Sequence, residues 1–162
     1  MSIPSQRHLF DIPDDIFYLN CAFWSPFLKE AREAGIRGID KKLSPWERGS
    51  QEFFDEAEEA RQLFAETVGA LTDAVAIIPS ASYGLTIASE NLPIQKGQKI
   101  VLLEEQFPSN VYPWREKAKQ SGAVIETLPR PKDLDWTTVL WNAIDEQTAV
   151  VTVPHGHWMD GN

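Results

Sequence analysis

Lys99-Ile-Val-Leu-Leu-Glu104 is apolar at consecutive rather than alternate positions, and Glu105-Gln-Phe-Pro-Ser-Asn110 follows it without a break. A run of that kind reads as a strand covered on both faces, ending in a loop of polar and aromatic residues. The pattern recurs on either side. Ala74-Val-Ala-Ile-Ile-Pro79 runs into Ser80-Ala-Ser-Tyr-Gly84, and Thr148-Ala-Val-Val-Thr-Val153 runs into Pro154-His-Gly-His-Trp-Met-Asp-Gly161. A fourth run covers residues 123–128. The stretches 82–92, 113–121 and 135–144 are long enough for crossover helices, and Gly97 and Gly122 stand where helix-to-strand turns fall. Strand and helix alternate, which predicts an α/β fold with a mainly parallel sheet. In such a sheet the loops after the strands open on one edge, where α/β proteins bind ligands.

The first half reads differently. Residues 1–24 are irregular, with a short apolar patch at Ile16-Phe-Tyr-Leu19. Ser25-Pro26 has the form of a helix start, serine capping and proline in the first turn, with Leu28, Ala31, Gly35 and Ile39 at helical spacing. That helix is expected to end at residues 41–43, before the loop Ser44-Pro-Trp-Glu-Arg-Gly-Ser50. In a second helix Phe53, Ala57, Ala60, Phe64 and Val68 share one stripe, and Gly69 lies near its end. The expected organisation is an irregular segment 1–24, N-terminal helices 25–70, and an α/β domain over 71–162.

The 162 residues suffice for one ordinary domain, and 43% hydrophobic with 24% charged residues marks a globular chain. A net charge of -9 argues against nucleic acid or an anionic membrane as partner, since both select a basic face. One cysteine, Cys21, excludes an internal disulfide and fits a reducing, cytoplasmic setting. Residues 1–15 do not read as a secretory signal, and no apolar stretch is long enough to span a bilayer.

Three loops carry candidate chemistry. At Ser80-Ala-Ser-Tyr-Gly84 a helix N-terminus would present free amides beside small residues and hydroxyls, a cradle for a phosphate; a plain serine cap reads equally from the local residues. Phe107, directly after its strand, is placed to stack on a flat ligand or to fill the core. Asn110 is placed to contact a ligand or to cap a turn. His155 and His157 would share a face in an extended segment, with Asp160 near, which keeps a metal-dependent hydrolase open. Cys21 reads as a nucleophile or as a small packed residue.

Together these loops resemble the N-terminal part of the class V aminotransferases, pyridoxal-phosphate enzymes of fold type I, from about Tyr18-Leu-Asn20 to Asn162. Tyr18-Leu-Asn-Cys-Ala22 is similar to an early substrate-side segment, and Ser80-Ala-Ser-Tyr-Gly84 to the phosphate-binding turn. Glu105-Gln-Phe-Pro-Ser-Asn-Val-Tyr-Pro-Trp114 is similar to the segment supplying the ring-stacking residue, a place taken by Phe107. His155-Gly-His-Trp-Met-Asp-Gly-Asn162 is similar to the segment beneath the ring, where Trp158 stands in the position of an asparagine found in some members. The resemblance implies pyridoxal 5'-phosphate as cofactor and an amino acid as substrate. Ser80, Ala81, Ser82, Phe107 and Trp158 would lie on the cofactor, with Asn20, Trp46 and Asn110 on the substrate side of a homodimer.

Tyr83 departs from the family's usual acid, and Phe107 replaces the histidine of the desulfurases. An aminotransferase, lyase or epimerase is therefore expected rather than a desulfurase. The resemblance also implies the three-layer, mainly parallel large domain of the PLP transferases, truncated and preceded by N-terminal helices. The Schiff-base lysine and the aspartate at the ring nitrogen are expected after this segment, since Lys96, Lys99, Lys117 and Lys119 do not fit. The strands expected beside residues 74–79 come later too, which predicts that this run lacks a sheet neighbour, and that the chain alone folds poorly and is inactive. A non-catalytic α/β module binding another phosphate ligand is the remaining alternative.

Overall fold

The structure, a computed structural model, describes residues 4–21 and 24–161. Ala22 and Asn162, the ends of two of the family-like segments, lie outside the described residues. The chain divides into two units, Met1–Ala76 and Ile77–Asn162. Among the described residues no helix is long and apolar enough to cross a membrane.

In the first unit α1 spans Lys29–Asp40 and α2 spans Glu52–Val68. The Ser25-Pro26 start is not used. Leu28 is extended and forms an isolated antiparallel bridge with Phe10, so helical geometry begins only at Lys29. The second helix keeps its expected limits because Gly69 takes the left-handed conformation (φ 68°) that an L side chain resists, and its amide closes the last turn. Of that helix only Ala65 is buried; Phe53, Phe64 and Val68, on the stripe read as core-facing, are exposed.

The second unit contains α3 (Ala81–Asn91), β1 (Lys99–Leu103), α4 (Tyr112–Ser121), β2 (Val124–Leu128), α5 (Trp136–Ala143) and β3 (Thr148–Val151). The sheet is parallel with order β2-β1-β3. Central β1 explains its consecutive apolar pattern. Ile100 and Leu102 face one way, into a cluster with Ile94, Trp114 and Ala118, while Val101 and Leu103 face the other, against Leu128 and Trp136. Three layers result: α3 and α4, the sheet, then α5.

The run 74–79 corrects the sequence reading in one respect. It is not a strand: Thr72–Ala74 forms a 3-10 turn, Val75 is extended, and no sheet partner pairs with the segment among the described residues. Extended backbone becomes a strand only when a ladder satisfies its polar groups. Here the Val75 carbonyl is satisfied instead by Arg61 Nε at 2.8 Å.

At the amino end of β1, Lys99 Nζ pairs with Glu126 Oε2 (2.8 Å) and Asp145 Oδ2 (2.9 Å), joining β1 to β2 and to the turn before β3. The hydrogen bond to Glu126, then that to Asp145, raises the Lys99 pKa. The Lys99 ammonium in turn holds the Asp145 carboxyl below its ordinary value. The Asp145 contribution is present above the unfolded carboxyl range and is lost as pH falls through its lowered folded pKa. The Lys99 contribution is complete below the unfolded lysine range and is lost as pH rises through its raised folded pKa. Thermal unfolding across pH should therefore show a plateau with an acid and an alkaline limb. Lys99→Met should remove the alkaline limb and soften the acid one; an unchanged profile would disprove this role.

Candidate functional site

The carboxyl edge of the sheet gathers three loops. Ser80 is extended (φ -165°, ψ 160°) and caps α3, its Oγ accepting the Tyr83 amide at 3.1 Å. Among the described residues the amides of Ala81 and Ser82 find no acceptor, as expected of the first turn of a helix. Both residues are exposed and small. Ser82 Oγ lies 2.9 Å from Ser109 Oγ. That bond ties the helix start to the 3-10 turn Pro108–Asn110, which begins directly after Phe107. The two features read separately from the sequence are thus neighbours in space.

The loop after β1 turns sharply at Glu105, whose φ of 55° is left-handed and uncommon for a residue with a Cβ. Buried Gln106 follows, and its Oε1 accepts the Phe107 amide at 2.8 Å. Phe107 is exposed, and its ring meets Trp158 edge to face, with centroids 5.8 Å apart and planes at 85°. Trp158 is held by its own Nε1–H, which donates to the Glu105 carbonyl at 2.7 Å.

The segment carrying Trp158 is anchored through its neighbours. His157 is fully buried and stacks on Trp136 at 5.3 Å with planes 16° apart. Its Nδ1 accepts the Met159 amide (3.4 Å), so the hydrogen sits on Nε2 and is donated to the Glu104 carbonyl at 3.1 Å. His155, by contrast, is exposed, so the two imidazoles do not share a face. The bend at residues 155–156 breaks the extended geometry on which the metal reading depended. Among the described residues no group of three or more metal-ligating side chains is clustered.

Asn110 uses its amide inside the fold. Nδ2 donates to the Thr152 carbonyl (3.1 Å), while Oδ1 accepts from Trp114 Nε1 (3.1 Å) and from Thr152 Oγ1 (2.5 Å). It joins α4 to the end of β3 and so sets the distance between two site loops. Asn20 and Trp46 belong to the first unit, where Trp46 lies exposed in a 3-10 turn and the Asn20 carbonyl accepts the Trp24 amide at 3.1 Å. Cys21 is exposed. Among the lysines of the second unit, Lys99 is committed at the opposite edge of the sheet, Lys117 and Lys119 lie on α4, and Lys132 is exposed between β2 and α5.

Arg130 is the residue that sequence reasoning missed. It binds Glu105 Oε2 through Nε (3.1 Å) and Nη2 (2.9 Å), and Asp160 through Nη1. Its backbone amide donates to Glu104 Oε2 at 2.9 Å. The signal was present: Pro129-Arg-Pro131 follows β2 just as the other site loops follow their strands.

Against known proteins, the family described as aminotransferase class-V matches residues 42–162. A curated relative described as an uncharacterized aminotransferase, YcbU of Bacillus subtilis, is 29% identical over 111 residues, covering 68% of this chain and 29% of its own length. A probable cysteine desulfurase of Mycoplasma genitalium is 24% identical over 107 residues, covering 65% of this chain and 26% of its own. The chain thus spans less than a third of either relative. A solved structure of a C-DES mutant, with glycine covalently linked to the PLP cofactor, superposes with a TM-score of 0.74 at 21% identity. That match covers 91% of this chain and 40% of the other. The fold is that of the PLP-dependent transferases, and the chain belongs to the class V aminotransferase family.

Proposed function

We propose that the carboxyl edge of this sheet is the cofactor side of a pyridoxal-phosphate site, in an enzyme acting on an amino acid. The observation that carries the reading is the Ser82–Ser109 bond, which joins an amide-rich helix start to the turn that follows Phe107. The donor set fits the group. Two free amides and a hydroxyl at a helix N-terminus suit a phosphate, and an exposed aromatic one turn away suits a flat ring.

In this reading Ser80 shapes the turn, and the amides of Ala81 and Ser82 with the Ser82 hydroxyl bind the phosphate. Phe107 covers the ring and excludes water, and Trp158 supports it edge-on. When bound, the cofactor supplies an electron sink for a bond broken at the amino-acid Cα; the protein supplies position and electrostatics. The reaction is a transamination, lyase or epimerase reaction. Phe107 stands where desulfurases of this group carry histidine, which supports that choice over desulfuration. Lys99, committed at the far edge of the sheet, is not the lysine that anchors the cofactor. The intact enzyme is a cytoplasmic homodimer.

Pyridoxamine 5'-phosphate tests this without imine formation on surface lysines. Calorimetric titration of the chain should give tighter binding than pyridoxamine by roughly tenfold or more, the worth of charge-assisted bonds to a phosphate. Equal affinity for the two would sink the phosphate assignment.

A further inference from the structure

The site residues named above do not explain why Glu105 is held in a left-handed conformation. Residues with positive φ and a Cβ persist only where their surroundings over-determine them. Here the surroundings are Arg130, Trp158 and the turn that follows it. Arg130 grips the Glu105 carboxylate through two nitrogens and Asp160 through a third. Asp160 closes the turn after Trp158, its amide donating to the His157 carbonyl at 3.2 Å. The Glu105 carbonyl receives the Trp158 indole hydrogen. The planar guanidinium, which belongs to neither loop, is therefore bound both to the loop that carries Phe107 and to the loop that carries Trp158. The Arg130 side chain is partly buried, 26% exposed, and water screens its bond to the 14%-exposed Asp160 less than its bond to the half-exposed Glu105.

We propose that Arg130 is a positioning residue, a clamp that locks the Glu105 turn and so fixes the edge-to-face pair of Phe107 and Trp158 at the mouth of the site. The planar fork holds Glu105 through two nitrogens and Asp160 through a third, a fixed geometry that the single point charge of a lysine does not reproduce. His157 gives the clamp a rigid floor, since it is stacked on Trp136 and bonded to the Glu104 carbonyl. Arg130 does not touch the cofactor in this account. It acts through the aromatic pair, and its role there rests on the cofactor reading above. The clamp itself does not.

Hydrogen exchange of indole N–H groups in the 15N-labelled full chain separates the two. The Trp158 signal is assigned by its loss in Trp158→Phe. The Trp114 indole, bonded to Asn110 in the same unit, serves as internal reference. Arg130→Gln should speed exchange at Trp158 by roughly tenfold or more, as expected for losing charge-assisted bonds, while Trp114 stays within about twofold. Arg130→Lys should recover only part of the protection. Glu105→Gln, at a half-exposed carboxylate, removes one arm of the clamp with less risk to folding and should open Trp158 selectively too. Unchanged exchange at Trp158 overturns the proposal, as does an equal rise at Trp158 and Trp114, which would mean general loosening.

Pyridoxamine 5'-phosphate binding is read on the same samples. If wild type binds it and Trp158 ignores the Arg130 substitution, the clamp is wrong and the cofactor reading stands. If nothing binds while Trp158 opens selectively, the cofactor reading is wrong and the clamp stands.

Discussion

Replacing Trp114 by alanine should destabilise the sheet unit by about 3–5 kcal/mol, the usual cost of deleting a large buried aromatic. The indole is 2% exposed and packs in the cluster formed by Ile94, Ile100, Leu102 and Ala118. Its loss leaves a cavity between α4 and the sheet. It also removes the donor to Asn110 Oδ1, the atom through which Thr152 and α4 are joined. Trp114→Phe keeps most of the packing and loses the bond, so it should cost less, about 1–2 kcal/mol. Urea unfolding followed by far-ultraviolet circular dichroism measures both. A Trp114→Ala cost below about 1 kcal/mol would mean that the unit is not packed as described, since large buried deletions fall well above that.

The second large effect is at the cradle. Ser82→Asp places a carboxylate in the first turn of α3, where it remains compatible with the helix dipole and should not harm the fold. The same carboxylate stands in the place of a phosphate, competes for the free amides and repels the bound anion. Affinity for pyridoxamine 5'-phosphate should fall by about a hundredfold or more, two charge-assisted bonds being lost and a repulsion gained. Affinity for pyridoxamine should barely change. Ser80→Ala removes the cap instead, leaving the Tyr83 amide unsatisfied. Its effect should appear as helix stability, about 1 kcal/mol, rather than as a selective loss of phosphate binding.

The sheet was legible because β1 is covered on both faces. Its consecutive apolar residues and the alternation with helices carried the parallel topology, and Gly122 marked the end of α4 through a left-handed turn (φ 74°). The run 74–79 looked the same in sequence and was expected to lack a sheet neighbour; without a partner among the described residues it does not become a strand. The start of α1 was misread for a related reason. A serine–proline pair is a local signal, and the bridge between Phe10 and Leu28 is not local. Periodicity located α2 correctly, but the exposure of Phe53 and Phe64 is set by what packs on the helix, which its own sequence does not encode.

The Ser80 cap and the place of Phe107 after its strand were readable from loop position. The same rule applied to the loop after β2 would have found Arg130. The pairing of His155 with His157 failed because the residues between strand and turn bend rather than extend. Ser109 carried no signal of its own; its importance comes from a contact across 27 positions of sequence.

One site should hold a phosphate at residues 81 and 82 and the flat ring at Phe107 and Trp158. Backbone amide shifts of the 15N-labelled chain, recorded during titration with pyridoxamine 5'-phosphate, test it most directly. The prediction is saturable shifts largest at Ala81 and Ser82, with Phe107 and the Trp158 indole moving in parallel at one common affinity. Shifts centred elsewhere, or a cradle and an aromatic pair that respond with different affinities, would contradict it.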